Sequence, residues 1–218
     1  MPVRKIPKNY LSVTGKFSST KNGKSLGYES LLERDLMILL EFDDTVERFE
    51  EQPVKVPLVV NGKKLKPYVP DILIHYFPTS SGEAKRPVLG EVKKSDDLKK
   101  NKEKYAPKFE AASRYANERD WEWQIFTEKE IRTPCLDNLK FLRDYHNKEP
   151  DAALQQEVVS YLQNVRGTVT VESLLQKLCL TEDRVLHVTP ALWYLIATKR
   201  ITVNLQKLLT TKSKLSLP

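Results

Sequence analysis

Residues 88–105 read VLGEVKKSDDLKKNKEKY. The opening VLGEVKK predicts a strand over 88–94, and the lysine-rich continuation predicts a long helix over 98–118. Side chains two apart on a strand share a face, so Leu89, Glu91 and Lys93 point the same way. Upstream, Pro70-Asp71 opens DILIHY (71–76), a second predicted strand. Paired strands can bring Asp71 and Glu91 to one point with the Lys93 ammonium beside them. Neighbouring carboxylates repel, and a divalent cation between them relieves the repulsion. All-oxygen ligation suits Mg²⁺, with Mn²⁺ as a substitute.

That constellation suits phosphodiester hydrolysis, which needs a hydroxide at neutral pH, neutralised charge on the phosphorus and help for the leaving oxygen. Asp71 and Glu91 are the expected direct ligands, with the Val92 carbonyl as a further candidate. Lys93 orients the water or stabilises developing charge. A third acid comes from YESLLERDLMILLEF (28–42), whose Leu32, Leu36, Leu39 and Leu40 predict an amphipathic helix. Glu33 borders its apolar side and is expected to complete a second metal position or anchor the first. Glu29, one turn earlier, is the alternative. Each residue alone has an ordinary explanation: a surface Glu-x-Lys pair, turn chemistry after proline, a solvated helix glutamate. Their order along the chain favours the site.

Between these segments, VKVPLVV (54–60) and residues 64–69 predict strands joined at Asn61-Gly62, a strong hairpin signal. WEWQIFT (121–127) predicts a strand, with Trp121 and Trp123 facing the core or a helix. Thr133-Pro134 opens a helix to about Tyr145. HNKEPD (146–151) reads as a linker. Beyond it, 152–163, 171–178 and 188–198 predict three short helices and 201–206 a strand, an order that resembles a winged helix. The expected division is a basic arm over 1–27, a mixed α/β domain over 28–148 and an interaction domain over 149–218.

The 218 residues carry a formal net charge of +7, compatible with nucleic acid. The lysines after Lys93, together with the arm, could grip DNA phosphates from two sides. Cys135 and Cys179 lack metal-ligand spacing and fit a reducing compartment. His75, His146 and His187 are scattered and read as structural. No apolar run is long enough to span a membrane.

SLLERDLMILLEFDDTVERFEEQPVKV (30–56), YVPDILI (68–74), VLGEVKKS (88–95) and WQIFTEKEI (123–131) run in an order that resembles TnsA, the endonuclease subunit of Tn-seven-like heteromeric transposases. The resemblance covers most of 28–145. It implies an α/β, restriction-endonuclease-like PD-(D/E)xK core followed by a small winged-helix-like C-terminal domain. It implies cleavage of the non-transferred strand at the 5′ ends of a transposon, in the bacterial cytoplasm, on double-stranded DNA. A TnsB-type transposase cuts the 3′ ends, and a TnsC-type ATPase meets the C-terminal region. By motif, Glu33, Asp71, Glu91 and Lys93 take the catalytic positions. Some relatives carry Gln in place of Glu91, and the C-terminal residues match more loosely. Two other readings stay open: a stand-alone repair or resolving nuclease, and a non-catalytic DNA-binding adaptor.

Overall fold

In the computed structural model, residues 13–218 are described and the chain divides between Ile131 and Arg132. The N-terminal unit opens with β1 (Gly15–Ser19) and β2 (Lys24–Tyr28), then α1 (Leu31–Phe42), β3 (Val46–Glu51), β4 (Val56–Val60), β5 (Lys63–Tyr68), β6 (Ile72–Tyr76) and β7 (Val88–Val92). It closes with α2 (Ser95–Lys100), α3 (Lys102–Asn117), β8 (Glu122–Phe126) and α4 (Glu128–Ile131).

Its central sheet has the order β3-β6-β7-β8. The pairs β3–β6 and β6–β7 are antiparallel, and β7–β8 is parallel. A parallel neighbour needs a crossover, which α2 and α3 supply. The expected single helix over 98–118 is thus two helices that break at Asn101. Every residue of β7 is buried. Its Leu89 packs with Leu73, Ala116, Trp121 and Trp123, so the tryptophans serve the core as expected. The small Ala111, Ala112 and Ala116 are the buried residues of α3.

Beside this sheet, β4 and β5 form a separate hairpin. Val60 pairs with Lys63, and Asn61 (φ 50°) and Gly62 (φ 74°) form the turn. Two successive positive φ values are what Asn-Gly tolerates and most residues resist. Val56 and Leu58 of β4 are buried with Tyr68, Ala111 and Ala112.

The arm expected over 1–27 is corrected. Residues 15–28 are an antiparallel hairpin, β1–β2. Phe17 and Leu26 are its anchors, fully in the core, and Phe17 lies 6.5 Å from the Phe49 ring. Its turn is held by Glu41, which accepts from the Ser19 hydroxyl at 2.6 Å and the Thr20 and Lys21 amides. These residues therefore form a seated hairpin and not a loose arm, and the rest of the expected arm, 1–12, lies outside the described residues.

The C-terminal unit contains α5 (Pro134–His146), α6 (Ala152–Asn164), β9 (Val169–Thr170), α7 (Val171–Leu178), α8 (Glu182–Ala197), β10 (Thr202–Val203) and β11 (Lys214–Ser216). The three short strands form one antiparallel sheet ordered β10-β11-β9. The expected boundary at 148/149 is also corrected. Leu142 of α5 is buried with Val158, Leu192 and Leu195, and Phe141 meets Trp193 edge-on at 5.1 Å. Buried Asn138 accepts from the Leu209 amide and donates to the Leu205 and Lys207 carbonyls, each within 2.9 Å. Helix α5 therefore belongs to the second unit, and HNKEPD is a connection inside it. Helix α8 starts earlier than expected because Thr181 caps it and Glu182 and Asp183 follow.

Gly90 permits close packing at the middle of β7. A Cβ there would lie 2.7 Å from the Phe126 ring and 2.9 Å from Ile72 Cγ2. Gly90→Ala is expected to destabilise the protein by about 1–3 kcal/mol, measured by urea unfolding. An unchanged midpoint would show that the strands can part without strain.

Candidate active site

Pro70 has no N–H to give to a neighbouring strand, and β6 begins only at Ile72. Asp71 therefore sits at the mouth of the strand, fixed from both sides. Its amide donates to the Gly90 carbonyl at 3.0 Å, and its carbonyl accepts from the Gln52 amide at 2.9 Å. Its side chain accepts from the Val92 amide, Oδ2 to N 2.8 Å. This bond ties the aspartate to the strand that carries Glu91 and Lys93.

The sequence expectation that Asp71, Glu91 and Lys93 converge is met in the geometry. The Lys93 ammonium lies 2.6 Å from Glu91 Oε1 and 3.7 Å from Asp71 Oδ2. It also donates to the Val92 carbonyl at 3.3 Å. The Glu91 side chain is 5% exposed, Asp71 13% and Lys93 25%, so the pair works largely out of water. Burial opposes the charge on Lys93, but Asp71 and Glu91 outweigh it and raise its pKa above the ordinary lysine value. Burial, reinforced by the Glu91 charge, pushes Asp71 above the usual aspartate range despite Lys93.

Glu33 and Glu29, the alternatives that the sequence left open, are placed differently. Ser30 caps α1 and accepts from the Glu33 amide at 3.2 Å. The Glu33 carboxylate accepts from the Glu29 amide and the Ser30 hydroxyl, both at 2.8 Å. This is close to a capping box, so both oxygens of Glu33 have structural partners. The site still reaches it: burial and then Asp71 raise its pKa from 4.5 to about 7. Glu29, not Glu33, lines the adjoining cleft.

That cleft, of about 460 Å³, is also lined by Lys66, Tyr68, Asp71, Glu91, Lys93 and Lys108. Tyr68, Lys66 and Lys108 were not singled out from sequence. The one available signal was the position of Tyr68 in YVPD. Glu128 was also missed. It accepts from the Ser95 amide at 2.8 Å and from the Ser95 hydroxyl, which fastens the chain two residues beyond Lys93. Those hydrogen bonds lower the Glu128 pKa to about 2. His75 pairs with Glu50 at 3.1 Å, and His187 lies near Asp183.

Among the described residues, no three His, Cys, Asp or Glu side chains are gathered to hold a metal ion as they stand. Lys93 takes the place beside Glu91, and Val92 O faces that ammonium. The donor chemistry nevertheless fits a hard divalent cation, because the Asp71 and Glu91 carboxylates and the Val92 carbonyl offer only oxygens.

A mixed sheet with acids and a lysine at its strand ends fits an α/β nuclease fold. Residues 43–128 match the family described as TnsA-like endonuclease N terminal, and residues 130–205 match TnsA endonuclease C terminal. The chain belongs to the TnsA endonuclease family, whose members are transposon-associated endonucleases. Asp71, Glu91 and Lys93 fall inside the first match; Glu33 lies before it. The two matches meet near the division seen in the structure. Comparison with individually curated proteins returns no match. No helix among the described residues is long and apolar enough to cross a membrane.

The Glu33 shift has a definite sign. Its folded pKa, about 7, exceeds the ordinary 4.5, so the folded chain holds the extra proton between those values. The stability tied to that proton is complete below about 4.5 and is lost as pH rises through about 7. Glu33→Gln keeps the cap and removes the charge. In EDTA at pH 8.5 it is expected to stabilise the protein by on the order of 1–3 kcal/mol, with little effect at pH 5. Thermal unfolding at both pH values checks this, and an equal shift at each would contradict it.

Proposed function

We propose that this chain is a metal-dependent DNA endonuclease that cuts the non-transferred strand at the 5′ ends of a transposon. In this reading it acts with a TnsB-type transposase and a TnsC-type ATPase. The observation that carries it is the meeting of Asp71, Glu91 and Lys93 within one buried cluster in a TnsA-family chain. The catalytic set is Glu33, Asp71, Glu91 and Lys93, with Glu29 as the acid nearest the cleft.

Asp71 and Glu91 would hold Mg²⁺, or Mn²⁺ in its place, with Glu33 and the Val92 carbonyl as further donors. The ion, when bound, supplies a nucleophilic hydroxide and Lewis-acid charge neutralisation. The protein residues do the positioning. The Val92 amide fixes one Asp71 oxygen, leaving the other for the cleft. Lys93, with its pKa raised, is an ammonium at neutral pH. It therefore donates to a phosphate oxygen or a water and does not act as a proton acceptor. Glu128 holds the backbone just past Lys93, which limits where the ammonium can travel.

Lys66 and Lys108 in the cleft, with exposed Lys99, Lys100, Lys102 and Lys104 on α2 and α3, supply the cations a DNA backbone needs. Such contacts carry no base specificity, which suits a subunit directed to transposon ends by a sequence-reading partner. The C-terminal unit, with its helices and small antiparallel sheet, is read as a winged-helix-like module that meets the ATPase.

The test uses a labelled transposon-end duplex, the TnsB-type partner and Mg²⁺. Asp71→Asn keeps an acceptor for the Val92 amide but removes the charge. It is expected to lower 5′-strand nicking by at least about 10³-fold, while DNA binding persists. Nicking at the wild-type rate would refute the catalytic assignment. Efficient cutting by wild type without the partner would favour the stand-alone nuclease.

A further inference from the structure

Two polar atoms in the cluster are shut off from water and make no hydrogen bond of full geometry, the Tyr68 hydroxyl and Glu91 Oε2. The two groups are nevertheless close enough that, after burial, the Glu91 charge and hydrogen bonding raise the Tyr68 pKa. Tyr68 is 8% exposed and Glu91 4%. Both residues line the same cleft. A buried donor and a buried acceptor left unmade are each costly, and joining them removes both penalties.

The rest of Tyr68 is firmly placed. It ends β5, the strand whose other residues are exposed. Its ring meets Trp123 edge-on at 6.4 Å and packs with Val56, Leu58 and Ala112. Lys108 Nζ lies 5.9 Å from its ring centre. The β4–β5 hairpin also brings Lys66 to the cleft, but Lys66 is exposed, whereas the Tyr68 hydroxyl is buried with Glu91. Glu91 Oε1 is taken by Lys93 at 2.6 Å. The second oxygen is then the one whose direction nothing else fixes.

We infer that Tyr68 is a positioning residue: its hydroxyl donates to Glu91 Oε2 and fixes the plane of the Glu91 carboxylate, so that Oε1 is aimed at Lys93 and the cleft. A phenol suits this role better than a charged donor. It removes none of the negative charge a cation requires, and as a neutral group it does not compete with Lys93. Buried among Trp123, Val56 and Leu58, the ring has little room to turn, so the hydroxyl has few directions to take. Loss of the hydroxyl leaves Glu91 free to rotate about its terminal bond, which degrades catalysis without touching DNA binding. The catalytic half of this inference rests on the endonuclease reading; the hydrogen bond itself does not.

The test is a double-mutant cycle on the full chain in EDTA, using wild type, Tyr68→Phe, Glu91→Ala and the double variant. Tyr68→Phe is expected to raise the unfolding equilibrium constant about five- to tenfold in the wild-type background and less than about twofold with Glu91→Ala. Tyr68→Phe that is as stable as wild type, or more stable, would show a truly orphaned hydroxyl and overturn the inference. A loss of the same size in both backgrounds would assign the effect to ring packing and overturn it equally. In parallel, single-turnover nicking of the end duplex with partner and Mg²⁺ is expected to fall about 10- to 100-fold in Tyr68→Phe. The DNA Kd should stay within about twofold of wild type. Unchanged nicking alongside a positive cycle would overturn the positioning role. If wild type itself never nicks, the endonuclease reading fails, and the cycle still decides the bond.

Discussion

Two buried carboxylates sharing one amine set the terms for the N-terminal unit. Buried Asp71 and Glu91 stand close enough to share Lys93, and Glu33 senses Asp71 from the start of α1. No sheet gathers such charges unless the backbone forces the matter. Here it does so at several points: Asp71 is stitched to Gly90, Gln52 and Val92 at once. The Lys93 amide is bonded in turn to Phe126 on β8. The side chains have little freedom to separate, so their mutual repulsion is absorbed as shifted proton affinities.

The scaffold around them explains this rigidity. Strand β7 lies inside the sheet, and its Gly90 lets Phe126 and Ile72 close over the backbone. The α2–α3 crossover follows immediately, anchored where Ser95 meets Glu128. The charged residues thus occupy the junction where a central strand stops and a helix begins, with fixed supports on each side.

Much of this was legible in the sequence. The period-two spacing of Leu89, Glu91 and Lys93, the proline before Asp71 and the Asn-Gly turn each reflect local backbone rules, and local rules survive folding. What escaped was non-local or hidden by composition. The segment 15–28 is rich in Lys, Ser and Gly and looks like a loose arm. Two residues, Phe17 and Leu26, are enough to seat it. Helix α5 seemed to belong to the first domain because a proline-containing stretch follows it, yet its Leu142 is buried with α6 and α8. Glu33 reads as a ligand from its place beside the apolar stripe. Its cap with Ser30 depends on a hydroxyl three residues away, a second use of the same side chain that spacing does not separate. Tyr68 carried only the signal of its place in YVPD, because its interest lies in the direction of one oxygen.

The ammonium of Lys93 has one more consequence. It sits against Glu91 and near Asp71, so the cluster contains its own counter-charge, while a raised pKa lets Glu33 shed its charge by taking up a proton. The ammonium therefore offsets part of the charge of Asp71 and Glu91 from within the fold, so the gathering of these side chains rests on the chain's own residues.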